Sequence, residues 1–154
     1  MATHPTDPLT SQRHEGDFAM ARREGGCLCG AVRYALDSEP TMTAVCHCTH
    51  CQKQSGGVFS TNLVIPDADY HQTGETKVFR DRGDSGQPVD RYFCPACGSP
   101  IVSKVAVMPG LTMVKAGTLD DMSGLQPAVE VYTDHAVAWV SPIAGARRFA
   151  QNAG

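Results

Sequence analysis

The sequence predicts an all-β, antiparallel domain, and three observations carry that prediction. Short runs of alternating or β-branched residues recur along most of the chain. Fifteen glycines and ten prolines punctuate them, at the density expected of frequent turns. No stretch has the apolar spacing of a long amphipathic helix. At 154 residues, 42% hydrophobic and 19% charged, the chain has the length and composition of one globular domain with its own core.

Taken in order, residues 1–22 lack periodicity and carry Pro5, Pro8 and Gly16, which reads as a flexible N-terminal arm. Residues 23–154 read as a single domain. Its first strand is Ala31–Leu36, where Val32, Tyr34 and Leu36 share one face and Arg33 takes the other. Further strands are expected at 42–46, 58–65, 76–81, 89–94, 100–107, 111–116 and 128–132, separated by Pro66, Gly74, Gly83/Gly86, Pro109-Gly110 and Pro127. A short helical turn is expected over 49–55.

Charge and hydropathy exclude several classes. The net charge of −3 argues against a general nucleic-acid binder and against a polybasic membrane anchor. The uncharged apolar runs fall far short of the roughly 20 residues needed to cross a bilayer. The opening MATHPTDPLTSQRHEGD has no apolar core of a secretion signal, so a cytoplasmic protein without a membrane partner is expected.

The cysteines carry the chemistry. There are seven, an odd number that cannot pair off completely within one chain, and nothing marks the chain for an oxidising compartment. They cluster as Cys27-Leu28-Cys29, as Cys46-His47-Cys48-Thr49-His50-Cys51, and as Cys94-Pro95-Ala96-Cys97-Gly98. Thiolates one or two residues apart in a tight turn can share a zinc ion at about 2.3 Å. A thioredoxin-like redox site would need a βαβ context, and c-type haem attachment a histidine after the second cysteine. Gln52 and Gly98 follow instead.

Seven ligands divide most naturally as four plus three: a closed tetrahedral site and a site with one open position. If residues 46–48 are extended, Cys46 and Cys48 face one side and His47 the other, and a turn returns Cys51 toward them. Cys27, Cys29, Cys94 and Cys97 then form the four-thiolate site. Spacing alone leaves a rival, a second closed site completed by His47, His50 or a remote residue.

The runs G-G-C-L-C-G-A-V-R-Y, C-H-C-T-H-C-Q-K-Q-S-G-G and R-Y-F-C-P-A-C-G-S-P-I, in this order between about Gly25 and Ala144, resemble the glutathione-dependent formaldehyde-activating enzyme / centromere protein V family. The resemblance implies a β-tent fold and two zinc ions per chain. Cys27, Cys29, Cys94 and Cys97 would hold the structural ion, and Cys46, Cys48 and Cys51 the catalytic one. It implies carbon–sulfur lyase chemistry: joining glutathione and formaldehyde to S-(hydroxymethyl)glutathione, and the reverse. The partners so implied are a small glutathione-like thiol and an aldehyde. Where the family often carries basic residues, this chain reads Gln52-Lys53-Gln54.

The chemistry of an open three-thiolate zinc agrees with thiol delivery, because such a centre lowers a bound thiol's pKa. The alternative from another class is a non-catalytic, zinc-stabilised module that binds a protein or nucleic acid. Seven thiolates with two zinc ions would take the net charge from −3 to about −6, which weighs against nucleic acid. The oligomeric state stays open, a homodimer included. Among lesser candidates, His47 and His50 read as hydrogen-bonded turn residues or proton carriers. Ser55-Gly56-Gly57 reads as a flexible turn into strand 58–65; its resemblance to the family's turn after the cluster implies N–H groups that could meet a carboxylate. Phe59 reads as core or pocket wall, Arg91 and Lys104 as solvated, His71 and His135 as surface residues, and Trp139 as closing the core beside Pro142.

Overall fold

The computed structural model describes residues 22–153. The expected arm at 1–22 lies outside the described residues except for Arg22, which pairs with Asp37 at 3.5 Å. Eleven strands are present among the described residues: β1 (Arg23–Gly26), β2 (Arg33–Leu36), β3 (Met42–Cys46), β4 (Ser60–Pro66), β5 (Tyr70–Thr73), β6 (Lys77–Arg82), β7 (Pro88–Phe93), β8 (Pro100–Val105), β9 (Leu111–Lys115), β10 (Val129–Val131) and β11 (Arg147–Arg148). One α-helix, α1 (Thr49–Ser55), follows β3. No helix among them is long and apolar enough to cross a membrane.

The strands form a small sheet, β1-β2-β5, and a large one, β11-β10-β3-β4-β9-β8-β7-β6. Pairing is antiparallel except at one end, where β10 runs parallel to both β3 and β11. That end departs from the expected all-antiparallel order. The excursion between β9 and β10 returns the chain alongside β3 in the same direction, so Val131 lies opposite Cys46. Strands β1, β5 and β11 were not anticipated. Their sequences, REGG, YHQT and RR, carry no run of apolar alternation, and pairing with neighbours alone makes them strands.

The two faces of the large sheet differ, and this positions the site. Leu63, Ile65, Val102 and Val114 pack with Tyr34 and Leu36 of the small sheet into one buried apolar cluster that also takes in Cys27 and Cys94. Residues directly opposite in a ladder share a face. Cys46 faces Ser60, Asn62 faces Lys115, and Arg91 faces Ser103, which faces Met113 in turn. The second face is therefore rich in polar side chains, and α1 packs over it against β4. The expectation that Trp139 closes the core is overturned: its side chain is 76% exposed, because 136–146 runs over the surface without joining a sheet.

Candidate metal centres

Cys27 and Cys29 sit in the turn between β1 and β2, where Gly30 adopts a φ of 82°, a region open to glycine. Cys94 and Cys97 sit in the turn between β7 and β8, closed by the Gly98 N–H donating to the Cys94 carbonyl at 2.8 Å. The four Sγ atoms all lie within 4.8 Å of one another. Cys27 and Cys29 are 3.5 Å apart and Cys29 and Cys94 3.8 Å apart. Tetrahedral zinc with 2.3 Å bonds asks for sulfurs roughly 3.8 Å apart, so the donors fit the ion.

The surroundings favour the thiolate at Cys27 and Cys97, while Cys29, beside the Cys27 sulfur, is pushed up to about 11. The Val32 N–H donates to Cys27 Sγ at 3.2 Å. The Ser99 hydroxyl accepts from the Leu28 N–H at 3.0 Å and lies 3.3 Å from Cys97 Sγ, bridging the two halves of the cluster. Hydrogen bonds from the Ser99 side chain and backbone help push the Cys97 thiol down to about 5.

The second group is built on a strand end and a helix start. Cys46 ends β3, Cys48 is the N-cap of α1, and Cys51 lies buried in its first turn. The Cys48 sulfur accepts the Cys51 N–H at 3.3 Å, the bond a serine or aspartate cap would make. The three Sγ atoms also lie within 4.8 Å of one another, and no fourth ligand atom joins this group among the described residues. Hydrogen bonds from Cys46 and Cys48 push Cys51 down to about 2 against the effect of burial, with help from the charges of Lys115 and Arg91. The same contacts push Cys46 up.

The neighbouring histidines are engaged elsewhere. His47 points away from the cysteines into the protein, 1% exposed, with Nε2 2.9 Å from Glu130 Oε1. Glu130 Oε2 accepts the Ile143 N–H at 3.1 Å and Arg148 at 3.3 Å. His50 Nδ1 lies 2.8 Å from Asp81 Oδ2, which also accepts Arg91 Nε at 2.8 Å. Phe59 is half-buried, its ring edge-on to His47 at 5.6 Å.

Several expectations for lesser residues change. Arg91 is not solvated; it is 5% exposed, faces the cysteines from β7, and its charge acts on Cys51. Lys104 is partly exposed, as expected, and pairs with Asp67. The Ser55-Gly56-Gly57 amides are already used: Gly56 is the left-handed C-cap donating to Gln52, and Gly57 donates to Ser55 Oγ. Gln52 ties the site together structurally, its Nε2 donating to the carbonyls of His47 and His135 at 2.8 and 3.1 Å. Positive charge at the site comes instead from Arg91 and from Lys115, which is 6% exposed. His71 and His135 are surface residues.

Three features were not foreseen: Lys115, Asp81 and Tyr132. Tyr132 follows Val131 with φ 55° and ψ 41°, a conformation uncommon for a bulky residue. It lines a cavity of about 520 Å³ with Asp84, Asp134, His135, Gln151 and Asn152. Burial pushes its phenol up, and the charges of Asp84, Cys46 and Cys48 add to the shift. Tyr132 follows Val131, which stands opposite Cys46, and the His135 carbonyl accepts from Gln52 of α1, so two residues of the cavity wall adjoin the cysteine-bearing segment, though no cysteine lines the cavity itself. Both cysteine groups could hold a metal ion, and all-sulfur donors suit zinc.

Comparison with known proteins shows what the chain is similar to. A Halomonas elongata protein described as a glutathione-dependent formaldehyde-activating enzyme is 34% identical over 83 residues, which are 51% of this chain and 53% of that protein. The chain thus spans about half the length of that curated relative. A crystal structure of a Rhodobacter sphaeroides protein shares the fold with a TM-score of 0.51 at 18% identity, covering 68% of this chain and 91% of that one. The family model of the glutathione-dependent formaldehyde-activating enzyme matches residues 22–135, a span that takes in all seven cysteines, and the chain belongs to that family.

Proposed function

We propose that this chain is a cytoplasmic zinc-dependent carbon–sulfur lyase that joins a small thiol, glutathione or a relative of it, to formaldehyde and releases it in reverse. One observation carries the reading: three cysteine sulfurs lie within 4.8 Å of one another with no fourth protein ligand atom in the group among the described residues. A cavity of about 520 Å³ has Tyr132 and His135 in its wall, and both adjoin the cysteine-bearing segment. That volume lies within the range of small-molecule sites. Cys27, Cys29, Cys94 and Cys97 would hold a structural zinc, and Cys46, Cys48 and Cys51 a catalytic one. Zinc bound there would supply the Lewis acidity that keeps a substrate thiol ionised at neutral pH.

The residues of the chain do the rest. Cys48 and Cys51 are fixed by the first turn of α1, and Cys46 by its pairing with β4 and β10. Asp81 of β6 ties His50 of α1 to Arg91 of β7. The cavity at Tyr132 would receive the body of the thiol. In the synthetic direction the thiol sulfur bonds to the aldehyde carbon, the carbonyl π pair takes a proton, and the thiol's own proton is lost. No oxidant or reductant is needed. The test is exchange spectroscopy by NMR on glutathione and formaldehyde mixtures. The zinc-loaded chain should accelerate adduct exchange and Cys48→Ser should not. A metal-loaded, folded chain that leaves exchange at the uncatalysed rate for every thiol and aldehyde pair tried would favour a binding module instead.

A further inference from the structure

Lys115 ends β9 on the polar face of the large sheet, opposite Asn62. Its Nζ donates to Ser60 Oγ at 3.0 Å and to Asn62 Oδ1 at 2.9 Å. Both acceptors are neutral, and among the described residues no carboxylate pairs with it. Arg91 differs, since Asp81 accepts its Nε and balances its charge. A buried ammonium bonded only to neutral acceptors is unfavourable unless negative charge lies close by. Here that charge is sulfur: Ser60, which accepts from Lys115, stands directly across the ladder from Cys46. Burial pushes the Lys115 ammonium below its ordinary value, and Cys51, Cys46 and Cys48 oppose that shift.

We infer that Lys115 sets the ligand specificity of the three-cysteine group: its unbalanced positive charge selects an anionic sulfur, a thiolate, over a neutral donor as fourth ligand of an ion held by Cys46, Cys48 and Cys51. The inference rests on the proposed reading of that group as a metal centre open to a substrate thiol. Three thiolates around a divalent cation carry one net negative charge, and a fourth thiolate would double it. Lys115 cancels the first, so an incoming thiolate meets a locally neutral site. A neutral ligand such as imidazole gains nothing from Lys115, because it adds no charge.

The full chain loaded with cobalt(II) tests this, with the visible bands of the ion reporting ligand entry. 2-Mercaptoethanol and imidazole are titrated separately, and circular dichroism confirms the fold. Lys115→Gln removes the charge while keeping a donor for Ser60 and Asn62. It should raise the dissociation constant of mercaptoethanol about ten-fold and leave that of imidazole within about two-fold. Asn62→Asp, nearly isosteric, gives Lys115 the carboxylate it lacks and should shift the constants the same way even if Lys115→Gln fails to fold. Lys115→Arg should restore thiol binding. Equal shifts for both ligands, or unchanged mercaptoethanol binding in a folded variant, overturn the inference alone. A cobalt-loaded wild-type chain that binds no thiol overturns the proposed function together with it.

Discussion

His50 and Asp81 join the cysteine-bearing helix to the far edge of the large sheet, Nδ1 of one lying 2.8 Å from Oδ2 of the other. The same oxygen accepts Arg91 Nε. Desolvation pushes the Asp81 carboxyl up, but the bonds from His50 and Arg91 hold it below the usual carboxylate range. Asp81→Ala would leave the Arg91 guanidinium buried without its carboxylate and release α1. Breaking such a pair costs about 3 kcal/mol, so urea denaturation should show a loss of that order, with less metal retained at the three-cysteine group. An unchanged midpoint would mean the contact is incidental.

Cys94→Ala should abolish folding. Cys94 is fully buried in the core cluster and belongs to a group that joins the turn before β2 to the turn after β7. A metal bound there would close a long loop, so its loss would be coupled to unfolding. The expected result is insoluble protein, or soluble protein without β signature. A soluble variant with native circular dichroism and an unchanged melting temperature would remove the structural role.

Metal should leave the two groups in order. The three-cysteine group lies within 46–51, so a mild chelator should strip one ion, abolish adduct exchange and leave the β signature, and added zinc should restore turnover. Cys48→Ser and Cys48→Ala should both mimic the stripped state. The alanine variant should be less stable by about 1 kcal/mol, because only serine still caps α1. Metal content, circular dichroism and turnover followed on one sample decide it. Simultaneous loss of both ions with the fold would contradict the assignment.

Acid should weaken the anchor behind the site. Burial raises the Glu130 carboxyl, but hydrogen bonds from His47 and the Ile143 N–H, with the Arg148 charge, hold it below its ordinary value of 4.5. A carboxyl depressed in the folded state stabilises the fold fully above its unfolded value, and that contribution fades as pH falls through the folded value. Melting temperature should therefore drop as pH falls below about 4.5. Glu130→Gln should be destabilised at neutral pH and show a shallower acid decline. Parallel acid curves for the two proteins would disprove the role of Glu130.

The legible parts of this protein are the local ones. Cys46, Cys48 and Cys51 come together through one strand end and one helical turn, and 49–55 reads correctly as that turn. Strand 42–46 is equally plain, since its alternation follows the pleat. Arg91 and Lys115 were not legible, because what buries them comes from elsewhere: Asp81 on β6, Ser60 and Asn62 on β4. In a sheet covered on both faces, a charged residue in a strand looks the same whether it meets solvent or a polar interior. Trp139 misled for the opposite reason. A large aromatic beside a proline suggests burial, yet no strand or helix carries it inward.

The Ser99 hydroxyl, bridging Leu28 and Cys97 across the four-cysteine group, makes the completion of that group a late event during synthesis. Cys29 and Cys94 stand 65 residues apart. At about 5–20 residues per second, roughly 3–13 s separate the appearance of one from the other. Through that interval Cys27 and Cys29 have neither their sulfur partners nor the Ser99 hydroxyl. The nascent chain therefore presents a bare dithiol to any competing soft metal or oxidant until Cys94 and Cys97 emerge.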